Sequence, residues 1–443
     1  MHVTRDCQQS YSLNGIFPPR RLESIMAELS PVLKQATPVL AARGEGVYLF
    51  DEDDRRYLDF TAGIGVTSTG HCHPRVVEAA QRQVGTLIHG QYTTVMHRPL
   101  LRLTERLGEV LPSGLDRVFY VNSGSEAVEA SVRLARQATG RQNIVAFEGG
   151  FHGRTMGAGA LTSSGVKIRA GLGPMMPGVA FSPFPETYRH GWSQAEAVRF
   201  ALRELDQLLL TVTSPADTAA FIIEPVLGEG GYIPAPPEFL EGLRERADRH
   251  GILLIVDEVQ TGVGRTGRFW GHDHAGIRPD IIITAKGLAS GFPLSAIAAG
   301  QELMSKAWPG SQGGTYGGNA VAAAAALATL DVVRDENLVD NAAEQGARLK
   351  EGLRKVAAEY PVIGDVRGLG LMVGNEFTTD DGRPDTATAT RAHKAAAERG
   401  LLLLTCGPHG NVVRMIPPLV VNSQQVDEAV SLWSEAVKNA VSG

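Results

Sequence analysis

Apolar positions along this chain fall into short β-branched runs, separated by stretches with the three-to-four-residue spacing of amphipathic helices. Arg117–Val121, Asn143–Phe147, Ala220–Glu224, Ile252–Val256 and Ile281–Thr284 read as strands. Gly124–Thr139, Ser193–Leu210 and Pro237–His250 read as the helices between them. Such alternation predicts a largely parallel sheet covered on both faces, an α/β architecture. Upstream, Gly46–Phe50 and Arg56–Phe60 flank an Asp-Glu-Asp-Asp turn and predict a hairpin. Pro74–Ile88 and Pro99–Leu111 have helical spacing, with proline in the first turn where its missing N–H costs little.

Past Gly318 the pattern changes. Helices are predicted over Asn319–Arg334, Leu338–Glu359, Thr386–Arg399 and Ser423–Val441, and strands over Val362–Arg367, Leu369–Phe377, Leu401–Thr405 and Val412–Ile416. This reads as a smaller α+β domain. The expected division is an N-terminal arm and hairpin over residues 1–73, joining the small domain, then a large domain over 74–330 and the small domain over 331–443. Residues 1–20 read as a loosely held arm.

Composition narrows the function classes. Hydrophobic residues make up 43% and charged residues 20%, as in ordinary globular chains. A formal net charge of −6 supplies no basic field, so nucleic acid is not an expected partner. Three cysteines, odd in number and far apart, argue against a disulfide framework and for a reducing cytoplasm. No run reaches the ~18 apolar residues of a membrane span, and residues 1–30 lack the apolar core of a secretory signal. A membrane is therefore not expected to be a partner.

Two of the apolar runs end on ionisable groups. Leu253–Val256 leads into Asp257, and Ile281–Ala285 leads into Lys286. Ligands of open α/β sheets gather at the carboxyl ends of the strands. A lysine and an acid delivered there are what a pyridoxal phosphate enzyme uses: an amine to condense with the aldehyde, and a carboxylate to keep the pyridine nitrogen protonated. Either residue also has a plainer role, Lys286 as a solvated strand end and Asp257 as a turn cap. Gln260, three residues beyond Asp257, is placed to reach a phenolate oxygen. Asn122–Ala127 follows a strand and opens a helix, which makes its turn an anion site or an ordinary helix cap. In the loop after Asn143–Phe147, Phe151 can stack on a flat ring and Arg154 can grip a carboxylate; the alternative is a core aromatic beside a solvated arginine. Glu224 ends a strand, and Glu229 lies in the Gly228–Gly231 loop. Gly262–Gly267 fits G-x-G-x-x-G, but five residues separate it from its strand and no helix start follows, so a dinucleotide site is not expected.

Six ordered blocks together resemble the class III (ω-amino-acid) aminotransferases, pyridoxal phosphate enzymes of fold type I, over about residues 38–432. They are Ser123–Ala127, Phe151–Thr155, Glu224–Val226 with Gly228–Gly231, Asp257–Gly262, Lys286–Gly287 and Gly314–Asn319. The resemblance implies that Lys286 holds the cofactor and moves the substrate proton, and that Asp257 pairs with the pyridinium nitrogen. It implies Gln260 at the ring oxygen, Phe151 and Val259 on opposite ring faces, and His152 beside the cofactor. Gly124 and Ser125 would bind the phosphate, with Thr315 doing so from a second subunit of a homodimer or dimer of dimers. Arg154 would take the distal carboxylate of the substrate and Arg414 the α-carboxylate, with Glu229 pairing Arg414 when that carboxylate is absent. Ile64 would line the substrate pocket. No metal is implied. The implied reaction joins a small-molecule amino donor to a 2-oxo acid acceptor. The segment Gly400–Gly407 favours 4-aminobutyrate with 2-oxoglutarate; acetylornithine or ornithine transamination and amino-acid racemisation or epimerisation are the alternatives.

Overall fold

The computed structural model describes residues 30–442. Residues 30–38 belong to a separate unit and hold one turn at Pro31–Val32, while Val39–Gly443 is one compact unit. The arm expected over residues 1–20 lies outside the described residues.

A seven-stranded sheet organises the compact unit, in the order Arg117–Val121, Ser295–Ala299, Ile281–Thr284, Leu253–Asp257, Thr218–Ile223, Asn143–Phe147, Val179–Ser182. Ile281–Thr284 through Val179–Ser182 run parallel. Ser295–Ala299 is inserted antiparallel to both its neighbours, a feature the expectation of a largely parallel sheet did not include. Its sequence, Ser-Ala-Ile-Ala-Ala, has a single β-branched residue and no alternation, so periodicity could not reveal it. Its small side chains are all buried.

Alternation along the central strand sends neighbouring residues to opposite faces. Ile255 packs into the cluster built on the helix Gly124–Thr139. Leu254 and Val256 pack into the cluster built on Gln194–Thr211 and Pro237–His250. With period two, Asp257 leaves the strand on the face of Ile255, the face of the Gly124–Thr139 helix.

A second, antiparallel sheet has the order Ile363–Leu369, Met372–Phe377, Val412–Met415, Leu404–Cys406. A third joins the N-terminal strands Ala41–Glu45, Tyr48–Asp51 and Arg56–Asp59 to Leu401–Leu402. The single strand expected over Leu401–Thr405 is thus two. The chain leaves one sheet at the fully buried Leu403 and enters another; Leu401 and Leu402 are buried and Leu404 is half-buried. The Gly262–Gly267 segment is a chain of turns rather than a strand-to-helix elbow. Its Arg265 is buried and donates to the carbonyl oxygens of Leu371 and Pro417, a role in packing.

Candidate active site

Strand ends, a helix start and two loops converge on a cavity of about 320 Å³. Asp257 and Gln260 line it from the end of the central strand, and Lys286 from the end of the next. Gly124, Ser125, Phe151, His152 and Val259 complete the wall contributed by the residues singled out from the sequence.

Asp257 is 3% exposed, and its Oδ2 lies 2.8 Å from His152 Nδ1. Burial works against a charge on His152, but the hydrogen bond to Asp257 and the charges of Asp257 and Glu224 prevail and raise it. The second carboxylate oxygen of Asp257 accepts from Val259 N at 3.1 Å, which fixes the carboxylate plane. Glu224 is buried as well and is pushed up to about 7, by burial foremost and by Asp257 next among the raising influences. Its oxygens accept from Phe151 N at 2.8 Å and Gly228 N at 3.0 Å, tying two site loops together. The neighbouring acid of the strand end, Glu258, turns the other way. It accepts from Gly271 N and His272 N and from the ring of His272, and anchors the following loop.

Lys286 stands at φ +39, in the left-handed region that residues with a β-carbon seldom adopt. Such strain persists where packing over-determines it, as at functional sites. Burial, reinforced by the nearby Arg414 cation, pulls its amine down to about 8, against the opposing influence of Glu229, Glu224 and Asp257. An amine so shifted has a substantial neutral, nucleophilic minority near physiological pH, where an unshifted lysine has almost none.

The helix Gly124–Thr139 begins with a capping box between Ser123 and Glu126. Among the described residues the N–H groups of Gly124 and Ser125 have no hydrogen-bond acceptor, so the positive helix end is open to an anion. Gly153, at φ +134, packs so close that a β-carbon there would overlap Ser125 Oγ. Phe151 and Val259 are both half-buried on the cavity wall.

Residues expected to meet the substrate lie outside the lining of this cavity but next to it. Arg414, on the strand Val412–Met415, pairs with Glu229 at 2.5 Å, and both charges act on Lys286. Arg154 is exposed, makes no ion pair among the described residues, and donates its backbone N–H to Ser125 Oγ at 3.2 Å. Ile64 is 46% exposed at φ +69, in a left-handed turn that begins at Ala62 and is braced by Asp59. The next residue, Gly65, approaches the Gln260 side chain. Thr315 is exposed and does not line the cavity of its own chain.

The family profile "Aminotransferase class-III" matches residues 30–437. The chain belongs to the class-III aminotransferases. Similar proteins include the 5-aminovalerate aminotransferase of Pseudomonas putida, 41% identical over 90% of this chain and 94% of the relative. The 4-aminobutyrate aminotransferase of Escherichia coli is 39% identical over 92% and 95%. Among solved structures, an amine transaminase from an uncultivated Pseudomonas species in its PLP-bound form superposes with a TM-score of 0.87, at 32% identity over 95% of this chain and 99% of the other. This aminotransferase has the fold of the type I pyridoxal phosphate enzymes and uses pyridoxal 5′-phosphate. Its substrates are a small-molecule amino donor and a keto acceptor. The cavity suits the cofactor on its own chemistry. It offers an amine of lowered basicity, a buried carboxylate braced by a histidine, apolar side chains on its wall, and unpaired N–H groups at a helix start.

Two contributors were not singled out from the sequence as site residues. Glu224 stood out as a strand end and as part of a resemblance block, without a role, and its bridging role needs loops 73 and 4 positions away. Tyr232, whose hydroxyl donates to Gln260 Oε1 at 2.9 Å, gave no signal beyond its place after the glycine-rich loop.

Proposed function

We propose that this aminotransferase transfers the amino group of an ω-amino acid, 4-aminobutyrate foremost, to 2-oxoglutarate in the cytoplasm. Its active unit is a homodimer in which Thr315 of the partner subunit completes the phosphate site. The observation that carries this reading is the pairing of the buried Arg414 with the half-buried Glu229 beside Lys286. A buried cation left alone is costly. Glu229 answers Arg414 while the donor, which has no α-carboxylate, is bound. The α-carboxylate of glutamate or 2-oxoglutarate takes that place in the second half-reaction, so one pocket serves both substrates. The exposed Arg154, which makes no ion pair among the described residues, is the natural grip for the distal carboxylate of either.

Bound in the cavity, pyridoxal phosphate supplies an electron-accepting ring that acidifies the hydrogen on the amine-bearing carbon. Asp257, oriented by His152, keeps a negative charge facing the ring nitrogen. Lys286 would hold the cofactor and, as a free amine, would carry the proton of the amine-bearing carbon. Phe151 and Val259 would shield the cofactor ring from water, Gln260 would donate to its ring oxygen, and Gly124 and Ser125 would hold its phosphate.

Glutamate release from 2-oxoglutarate, measured against 4-aminobutyrate, 5-aminovalerate, ornithine, acetylornithine and alanine, tests the assignment. Fastest release with the first is expected. Fastest release with acetylornithine or ornithine overturns the donor, and racemisation of alanine without any 2-oxo acid overturns transfer itself.

A further inference from the structure

We infer that Tyr232 is a positioning residue that locks the Gln260 side chain with its NH₂ group turned into the cofactor cavity. Tyr232 is fully buried, and its hydroxyl donates to Gln260 Oε1 at 2.9 Å. That bond occupies the only acceptor of the amide. The amide nitrogen, Nε2, has no hydrogen-bond partner among the described residues, and Gln260 lines the cavity. A glutamine amide turned the other way would present a carbonyl to the cofactor and take from the phenol proton the one acceptor it has among the described residues. A buried donor without an acceptor is costly, so the hydroxyl selects one of the two amide orientations.

Tyr232 itself is held in place against its backbone preference. Its φ is +55, a sparsely populated conformation for an aromatic residue. The peptide before it is clamped by Arg367, whose Nε and Nη2 donate to Gly231 O at 3.0 and 2.7 Å. Asp365 and Glu376 fix that guanidinium in turn, at 2.8 and 2.5 Å. Burial above all keeps the phenol protonated. The same ring lies under Arg414, 5.7 Å from its guanidinium carbon. One hydroxyl therefore separates two roles. The ring supports the carboxylate-binding arginine, and only the O–H acts on Gln260.

This inference rests on the proposed contact of Gln260 with the ring oxygen of the cofactor. The test is a pH titration of the visible absorbance of cofactor-loaded protein, run on wild type, Gln260→Ala, Tyr232→Phe and the double variant. Equilibrium affinity for pyridoxal phosphate and the melting temperature of cofactor-free protein are measured alongside. A donor at the ring oxygen stabilises its negative charge; without it the oxygen is more basic and holds the neighbouring proton longer. Gln260→Ala is expected to raise the absorbance midpoint, and Tyr232→Phe to raise it in the same direction by about half a unit. The double variant is expected to match Gln260→Ala alone, because the hydroxyl acts only through the amide. An unmoved midpoint in Gln260→Ala removes the Gln260 contact and the role of Tyr232 with it. A shift in Gln260→Ala but none in Tyr232→Phe, or additive shifts in the double variant, overturns the role of Tyr232 alone. A lowered melting temperature in Tyr232→Phe with an unmoved midpoint assigns the hydroxyl to packing and likewise overturns it.

Discussion

Adjacent acids in this chain have opposite duties. Asp257 faces the cavity with His152, while Glu258 is spent on loop anchoring. Asp257→Ala is expected to lower turnover by several orders of magnitude with little change in melting temperature, whereas Glu258→Gln lowers the melting temperature first; paired kinetics and thermal melts check both. Lys286→Ala abolishes turnover and the visible absorbance of the loaded protein, and retained activity in that variant would remove the mechanism. The amine of Lys286 titrates at about 8, and only its neutral form attacks an aldehyde. The rate at which cofactor-free protein captures pyridoxal phosphate therefore rises with pH through about 8 and levels off above it. Arg414 depresses that titration, so Arg414→Gln moves the midpoint of the capture profile upward. Stopped-flow absorbance at a series of pH values measures both.

Helix and strand ends act here as units of chemistry. The start of Gly124–Thr139 offers free N–H groups because a first helical turn has no intrahelical acceptors for them, and the Gly153 backbone packs closely against Ser125 there. Gly153→Ala is expected to weaken pyridoxal phosphate affinity by at least tenfold, since a β-carbon at φ +134 both strains the loop and displaces Ser125. Equilibrium dialysis reads the loss. Ile255 stands one residue pair before Asp257 on the same strand face, so Ile255→Ala costs about 3 kcal/mol in chemical denaturation and also loosens Asp257. Elements with strong periodicity were legible in advance. Arg117–Val121, Gly124–Thr139, Asn143–Phe147, Pro237–His250, Ile281–Thr284 and Leu338–Glu359 occur as expected, residue for residue. Val179–Ser182 and Ser295–Ala299 were not, because a four-residue edge strand and an alanine-rich one carry no pattern that distinguishes them from loop.

Across the molecule, residues far apart in the chain meet at one place. The site joins the end of the central strand to Arg414 from the second sheet and to Glu229, whose carbonyl oxygen accepts from Gly407 N at 2.9 Å. The exposed Thr315 lies outside the cavity of its own chain, which suits service to a neighbour in the proposed homodimer. That arrangement predicts complementation. Lys286→Ala subunits, inactive alone, and Thr315→Ala subunits, weak alone, should regain a measurable fraction of wild-type activity when mixed and allowed to exchange, because one site in each mixed dimer then carries both native residues. No recovery after demonstrated exchange would show that each chain completes its own site.

Local chemistry was readable without coordinates. An acid and a lysine at the ends of apolar runs, an aromatic-arginine loop and a serine-glycine helix start are short-range patterns, and each is written in consecutive residues. Their convergence on one cavity, the choice of Asp257 over Glu258, the split of Leu401–Cys406 between two sheets, and the Tyr232–Gln260 and Arg414–Glu229 contacts depend on tertiary partners, some as far apart as Leu401 and Leu58. Periodicity reports which face a residue occupies, never which distant face will be packed against it. That pairing follows from burying apolar area and satisfying buried polar groups throughout the folded chain at once.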